Sequence, residues 1–172
     1  MKKALLVIDM QHDFVDGALG SEAAQKIVMP VRKRVEEYLA NGDRVYYTQD
    51  THHENYMQTN EGKHLPIPHC VFQTPGWEIV NDAYVKGTPI ILKETFGTFS
   101  WKALYDIVSA DEIELVGLCT DICVLSNAII LKAQFPEKRI VVNLNCTAAT
   151  TPEAFNASLE IFKSCQIETI NE

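Results

Sequence analysis

Glu114-Leu115-Val116-Gly117-Leu118-Cys119-Thr120-Asp121-Ile122-Cys123-Val124 is a short apolar run that breaks at a glycine and passes through polar residues into a helical pattern. It reads as a strand, a tight turn and a helix with a cysteine in its first turn. A thiol placed there faces unpaired backbone N–H groups and the positive end of the helix dipole, both of which favour the thiolate. Cys123 is therefore a candidate nucleophile. The alternative is a small buried hydrophobe, the usual state of a free cysteine.

On either side of this unit, short apolar runs alternate with longer helical patterns, the signature of a parallel sheet covered by helices on both faces. Strands are expected over 4–8, 44–48, 90–93, 112–116, 139–144 and 167–170. The first is continuously apolar, as a doubly covered strand should be. Helices are expected over 21–40, 101–108, 122–134 and 152–165, the first stopped by Asn41-Gly42 and the last opened by Pro152. Residues 49–75 form a long irregular segment rich in histidine and proline, and loops of that length in compact domains are usually functional or disordered. The expected architecture is one α/β domain over residues 1–172. It is a three-layer sandwich with a central, mostly parallel, Rossmann-like sheet flanked by helices.

Composition narrows the partners. Hydrophobic residues at 47% and charged residues at 22% are those of an ordinary globular chain. A net charge of -8 argues against nucleic acid or an acidic membrane surface. The apolar run after Lys2-Lys3 is five residues long and ends in Asp9, so it reads as a first strand and not as a signal peptide. No apolar segment approaches a bilayer's thickness. Five cysteines without metal-knuckle spacing point to reduced thiols and a cytoplasmic protein.

In sheets of this kind the ligand lies beyond the carboxyl ends of the strands. Three polar residues stand at strand ends: Asp9, Lys93 and, just past its strand, Cys123. Each has a plain alternative, Asp9 as a helix cap and Lys93 as a solvated side chain. Together they make a charge-tuned nucleophile, with Asp9 taking the thiol proton and Lys93 holding both anions.

Five motifs, in order, resemble the isochorismatase-like cysteine hydrolases, a family that includes the nicotinamidases. They are Leu6-Val7-Ile8-Asp9-Met10-Gln11-His12-Asp13-Phe14, Gln49-Asp50-Thr51-His52, Pro68-His69-Cys70, Lys93-Glu94-Thr95-Phe96-Gly97-Thr98-Phe99 and Gly117-Leu118-Cys119-Thr120-Asp121-Ile122-Cys123-Val124. The resemblance spans essentially the whole chain. It implies a catalytic triad of Asp9, Lys93 and Cys123, attack on a small amide, and a thioester released by water. It also implies a cis peptide at Leu118-Cys119 and an oxyanion hole formed by the N–H groups of Cys119 and Cys123. Family members are commonly homo-oligomers.

Asp50 and His52 are two residues apart at a strand end, so an extended backbone projects both to one side. His69 follows seventeen positions later (69 minus 52). That separation resembles the metal-binding nicotinamidases, some of which add a carboxylate at the position of Glu61. The implied cofactor is one divalent ion on Asp50, His52 and His69, with or without Glu61. Zn²⁺ suits this set, and so do Mn²⁺ and Fe²⁺. His53 and His64 read as polar surface.

The implied substrate is nicotinamide. Phe14 matches one aromatic wall of the ring site, but Leu65-Pro66-Ile67-Pro68-His69 lacks the aromatic residue that usually supplies the other. Phe96, Phe99, Tyr56 or Trp77 is left to provide it, each with core or lid packing as its alternative. Two further readings stand beside nicotinamide hydrolysis: action on another small amide, carbamoyl compound or vinyl ether, and a non-catalytic, redox-responsive thiol.

Overall fold

The computed structural model describes residues 1–171. Along the chain run β1 (Lys3–Ile8), α1 (His12–Val15), α2 (Glu22–Lys26), α3 (Val28–Ala40), β2 (Arg44–Asp50), α4 (Asn60–His64) and β3 (Ile90–Lys93). They are followed by α5 (Tyr105–Ser109), β4 (Glu112–Leu118), a π-helical turn (Thr120–Val124), α6 (Leu125–Gln134), β5 (Arg139–Ala148), α7 (Pro152–Ser164) and β6 (Glu168–Ile170). The six strands form one sheet in the order β3-β2-β1-β4-β5-β6, and every pairing is parallel. Helices cover both faces. Among the described residues no helix is long and apolar enough to cross a membrane.

The unbroken apolar character of β1 has a direct structural cause. Leu5 and Val7 enter one core with Val31, Val35 and Tyr38 of α3. Ala4, Leu6 and Ile8 enter the other with Val124, Ala128 and Leu131 beside α6 and with Phe162 of α7. With both faces dry, the buried positions from Ala4 to Ile8 are all apolar. Strand order then fixes where a ligand can lie. After β1 the chain winds outward through β2 and β3, then returns to place β4 on the other side of β1. Connections leave β1 and β4 in opposite directions, opening a crevice at their carboxyl ends. Gly117 makes the approach there possible. Its φ is +107°, and a Cβ on it would lie 2.1 Å from the carbonyl oxygen of Ile8.

Several elements differ from the sequence reading for physical reasons. The helix expected over 21–40 is two helices joined at Ile27. Pro30 has no N–H to offer the carbonyl of Lys26, and its ring crowds that carbonyl, so the ladder breaks there. The strand expected over 139–144 continues to Ala148 through an irregularity opposite Leu115 and Gly117. The segment expected to be irregular supplies the last residues of β2 and the short helix α4. The helix expected over 122–134 opens with the π turn, in which the Val124 N–H reaches back to Cys119 O at 3.1 Å. The helix expected over 101–108 is a 3₁₀ turn, Ser100–Ala103, followed by α5.

The charged residue that begins the opening stretch, Glu114, is fully buried. Arg34 of α3 donates to both of its oxygens, at 2.8 and 2.6 Å. Tyr38 Oη donates at 2.8 Å and Asn143 Nδ2 of β5 at 2.9 Å. The carboxylate is thus fully hydrogen-bonded and ties a covering helix to two central strands. Glu114→Ala should lower stability by about 3–5 kcal/mol in urea unfolding, because it strands a guanidinium and two polar groups in the core. Glu36→Ala, which breaks only the surface pair with Arg32, should cost under about 1 kcal/mol. Equal effects would remove Glu114 from its structural role.

Candidate active site and metal-binding cluster

The backbone turns sharply after β1, with Asp9 at φ +47°. Thr48 of β2 holds the result: the Asp9 N–H donates to Thr48 Oγ1 at 3.1 Å, and that hydroxyl donates to Asp9 Oδ1 at 2.6 Å. Lys93 lies two strands away, roughly 10 Å across the sheet. Its long side chain reaches inward and is only 4% exposed. The ammonium stands 2.6 Å from Asp9 Oδ2, 3.0 Å from Asp50 Oδ1, 3.1 Å from Thr95 O and 3.7 Å from Cys123 Sγ. The three strand-end residues singled out in the sequence therefore meet in one buried cluster. The Leu118–Cys119 peptide beside them is cis.

The two carboxylates around this single cation are driven apart in acidity. Burial raises the Asp9 pKa, and although Lys93 opposes it, the nearby charge of Asp50 adds to the rise. Asp50 is also desolvated, but the close approach of His52 and the charge of Lys93 outweigh that and lower it. Asp50 is thus the settled anion and Asp9 the carboxylate ready to accept a proton. Burial pulls Lys93 down, yet Asp9, Cys123 and Asp50 together carry it above its ordinary value.

Cys123 corrects the expectation drawn from the helix terminus. It sits within the π turn and is 4% exposed. Burial pushes its pKa well above the ordinary thiol value; Lys93 lowers it, whereas Asp9 and Asp50 raise it further. Burial and the two carboxylates thus favour the thiol over the thiolate, against the pull of Lys93. Cys119 is also held protonated, pushed up to about 12 chiefly by burial.

Asp50 turns its second oxygen to another cluster. Asp50, His52 and His69 are buried and present ligand atoms within 4.8 Å of one another. His69 Nδ1 donates to the carbonyl of Ile67 at 2.8 Å. A carbonyl can only accept, so in the neutral ring Nε2 carries the free lone pair. His52 Nε2 lies 3.1 Å from Asp50 Oδ2 but makes no hydrogen bond of good geometry, and is a buried polar atom without a partner. Glu61 Oε1 stands 3.5 Å from His52 Nε2 and 3.6 Å from His69 Nε2. Two imidazoles beside carboxylates, one with its Nε2 free to ligate and the other with an unpartnered buried Nε2, fit a divalent transition metal. His53 and His64 stay outside the cluster, paired with Glu94 and with the carbonyl of Asn60.

Residues not assigned a role in the sequence hold these loops in place. Gln11 accepts from the Asp50 N–H at 2.7 Å and donates to the carbonyls of Asp50 and Trp77, both at 2.8 Å. Asp13 Oδ2 accepts from the N–H of Cys70 at 2.7 Å, fixing the turn that carries His69. Both lie within the first quoted motif, but only the folded chain shows what they hold.

A cavity of about 550 Å³ opens beside Lys93, lined among others by Thr51, His53, Phe72, Thr98 and Phe99. Of the proposed ring contacts, Phe14 packs its ring on His69 at 5.4 Å. Phe99 borders the cavity at 77% exposure, and Phe96 is also exposed. Tyr56 packs against both imidazoles of the cluster. Trp77 stands edge-on to Phe72, at 5.0 Å between centroids, with its indole N–H on Thr51 Oγ1 at 3.0 Å. Phe72 had no signal in the sequence beyond being aromatic.

Comparison with known proteins places the chain in a family and matches its fold to solved structures. A family model described as the isochorismatase domain matches residues 3–171. A Bacillus subtilis protein named as an uncharacterized isochorismatase family protein, PncA, is 32% identical over 94% of each chain. The crystal structure of nicotinamidase/pyrazinamidase PncA from Bacillus subtilis superposes with a TM-score of 0.86 at 28% identity, covering 99% of this chain and 100% of that one. Pyrazinamidase of Pyrococcus horikoshii in complex with zinc superposes with a TM-score of 0.84 at 27% identity, over the full length of both chains.

The charges around the thiol give a test with opposite signs. Asp9→Asn removes an anion that keeps the proton on sulfur, so alkylation of Cys123 by iodoacetamide at pH 7 should accelerate. Lys93→Met removes the stabilising cation and should slow it. Rates are read on the Cys123 peptide by mass spectrometry. Slower alkylation in Asp9→Asn would show that Asp9 already draws the proton from the resting thiol.

Proposed function

Since the chain belongs to the isochorismatase family, we propose that it is a cysteine-dependent amidohydrolase that converts nicotinamide to nicotinate and ammonia. The observation that carries this reading is the buried cluster in which one ammonium lies 2.6 Å from Asp9 and 3.7 Å from the Cys123 sulfur. A nucleophile, a proton acceptor with raised pKa and a fixed cation are what attack on an unactivated amide requires. Relatives named nicotinamidase/pyrazinamidase support the substrate class.

In the proposed reaction the Cys123 sulfur attacks the carboxamide carbon as its proton passes to Asp9. Lys93 balances the negative charge as it moves from carboxylate to sulfur. The backbone N–H groups of Cys119 and Cys123 receive the oxyanion, a role in which one donor is typically worth a hundredfold or more. Asp9 then returns the proton to the departing nitrogen, ammonia leaves, and a Cys123 thioester remains. Water attacks the thioester with Asp9 again as base, freeing the acid and restoring the thiol. Asp50, His52 and His69, with Glu61 beside them, would hold a divalent ion whose contribution is a Lewis-acidic site for the ring nitrogen. Phe14, Phe96 and Phe99 are the ring contacts proposed from the sequence. The redox reading is disfavoured, because a buried thiol with a raised pKa is a poor target for oxidation.

Ammonia release from nicotinamide tests the proposal. Cys123→Ala should lower turnover by more than about a thousandfold with the circular dichroism spectrum unchanged. Cys119→Ala should be far milder, since only its backbone N–H has a role. Purified protein should carry about one equivalent of transition metal, lost from His52→Ala and His69→Ala. Full activity in Cys123→Ala would end the proposal, and metal-free protein that is fully active would remove the metal from it.

A further inference from the structure

The side chain of Asn127 on α6 is fully buried and uses its entire hydrogen-bonding capacity. Its Nδ2 donates to Cys123 O at 2.8 Å and to Phe96 O at 3.2 Å. Its Oδ1 accepts from Thr98 N at 3.1 Å and from Trp101 Nε1 at 3.2 Å. Two donors meet two carbonyls, and one acceptor oxygen meets two N–H groups. This pattern also fixes the amide's orientation, because the flipped amide would set its hydrogens against two donors.

These partners belong to two separate pieces of the site. Cys123 lies on the π turn, whereas Phe96, Thr98 and Trp101 belong to the segment that follows Lys93. The segment between them forms the cavity wall through Thr95, Thr98 and Phe99. Its near end is tied to the ammonium by Thr95 O, and Thr95 Oγ1 donates to Gly97 O at 2.6 Å. Its middle lies flat on α6: a Cβ on Gly97 would stand 2.5 Å from Ile130 Cδ1 and 3.3 Å from Ser126 Cβ.

We propose that Asn127 is a positioning residue that ties this wall, residues 94–99, to the turn carrying Cys123. It keeps the Lys93 ammonium and the Cys123 sulfur at one separation and sets the size of the group admitted to the thiol. The inference rests on Cys123 as the proposed nucleophile. No smaller change preserves the link. Alanine leaves four polar groups without a partner, a serine hydroxyl can donate only once, and an aspartate faces two carbonyls with an oxygen.

The full chain is compared with Asn127→Ala and Asn127→Asp. In Asn127→Ala, amide exchange over residues 94–101 should rise about tenfold or more, while β5 and α7 keep their protection. Alkylation of Cys123 by a bulky maleimide, relative to iodoacetamide, should also rise about tenfold, and kcat for nicotinamide should fall roughly tenfold to a hundredfold with a smaller change in KM. Exchange that rises uniformly through the fold, or an unchanged alkylation ratio, overturns the proposal.

If Asn127→Ala does not fold, Asn127→Asp carries the test. It keeps an acceptor for Thr98 and Trp101 but loses both donors, so Trp101 fluorescence should stay native while the alkylation ratio rises. A native ratio in that variant also overturns the proposal. Alkylation is read on the thiol without substrate, so inertness toward nicotinamide in the wild type would count against the proposed function and not against this role.

Discussion

A desolvated ammonium organises this site. The Lys93 side chain ends where water cannot solvate it, and a charge so placed is tolerable only when its hydrogens meet anions and carbonyls. Asp9 and Asp50 answer that demand from β1 and β2, and Thr95 O answers it from the wall of the cavity. Three strand ends and a loop are thereby committed to one geometry. Removing the cation would leave two carboxylates facing each other in a buried site. Its removal would disturb the Asp50–His52–His69 cluster as well as the thiol, because Asp50 borders both.

The same constraint divides labour between two carboxylates that look equivalent in the sequence. Asp50 is flanked by an imidazole and the ammonium and stays ionised. Asp9 shares the ammonium with Asp50 and is left with burial and a neighbouring anion, which raise its pKa. A proton acceptor with a raised pKa beside a thiol whose pKa is also raised is suited to take the proton as the carbon–sulfur bond forms.

Around these charged groups lies a layer of neutral side chains that fix backbone. Gln11 joins the ends of β1 and β2, Asp13 holds the turn before Val71, Thr48 braces Asp9, and Asn127 joins the turn carrying Cys123 to the segment after Lys93. Each bonds mainly to main-chain groups, so each restrains a loop and not a single rotamer. That matters because the functional side chains come from five separate segments. Only their loops can hold them to a common geometry.

The sequence by itself determined the parallel sheet, because an unbroken apolar run such as residues 4–8 has no stable place except between two covering layers. It also singled out Asp9, Lys93 and Cys123 as polar residues at or just past the ends of such runs, which the fold gathers in one buried cluster, whereas the set of Asp50, His52 and His69 rested on the family resemblance. Tertiary structure alone decided what depends on distant neighbours. The electrostatics of Cys123 depend on both levels: a helix terminus favours a thiolate, whereas burial and two carboxylates contributed by other strands favour the thiol. The break at Ile27 needed only Pro30, a signal present in the sequence but outweighed there by apolar periodicity. Glu114 and Asn127 were opaque, since a buried polar residue in an apolar element acquires meaning only from its partners. Those partners stand 80 residues away for Arg34 with Glu114, and 29 and 26 for Thr98 and Trp101 with Asn127.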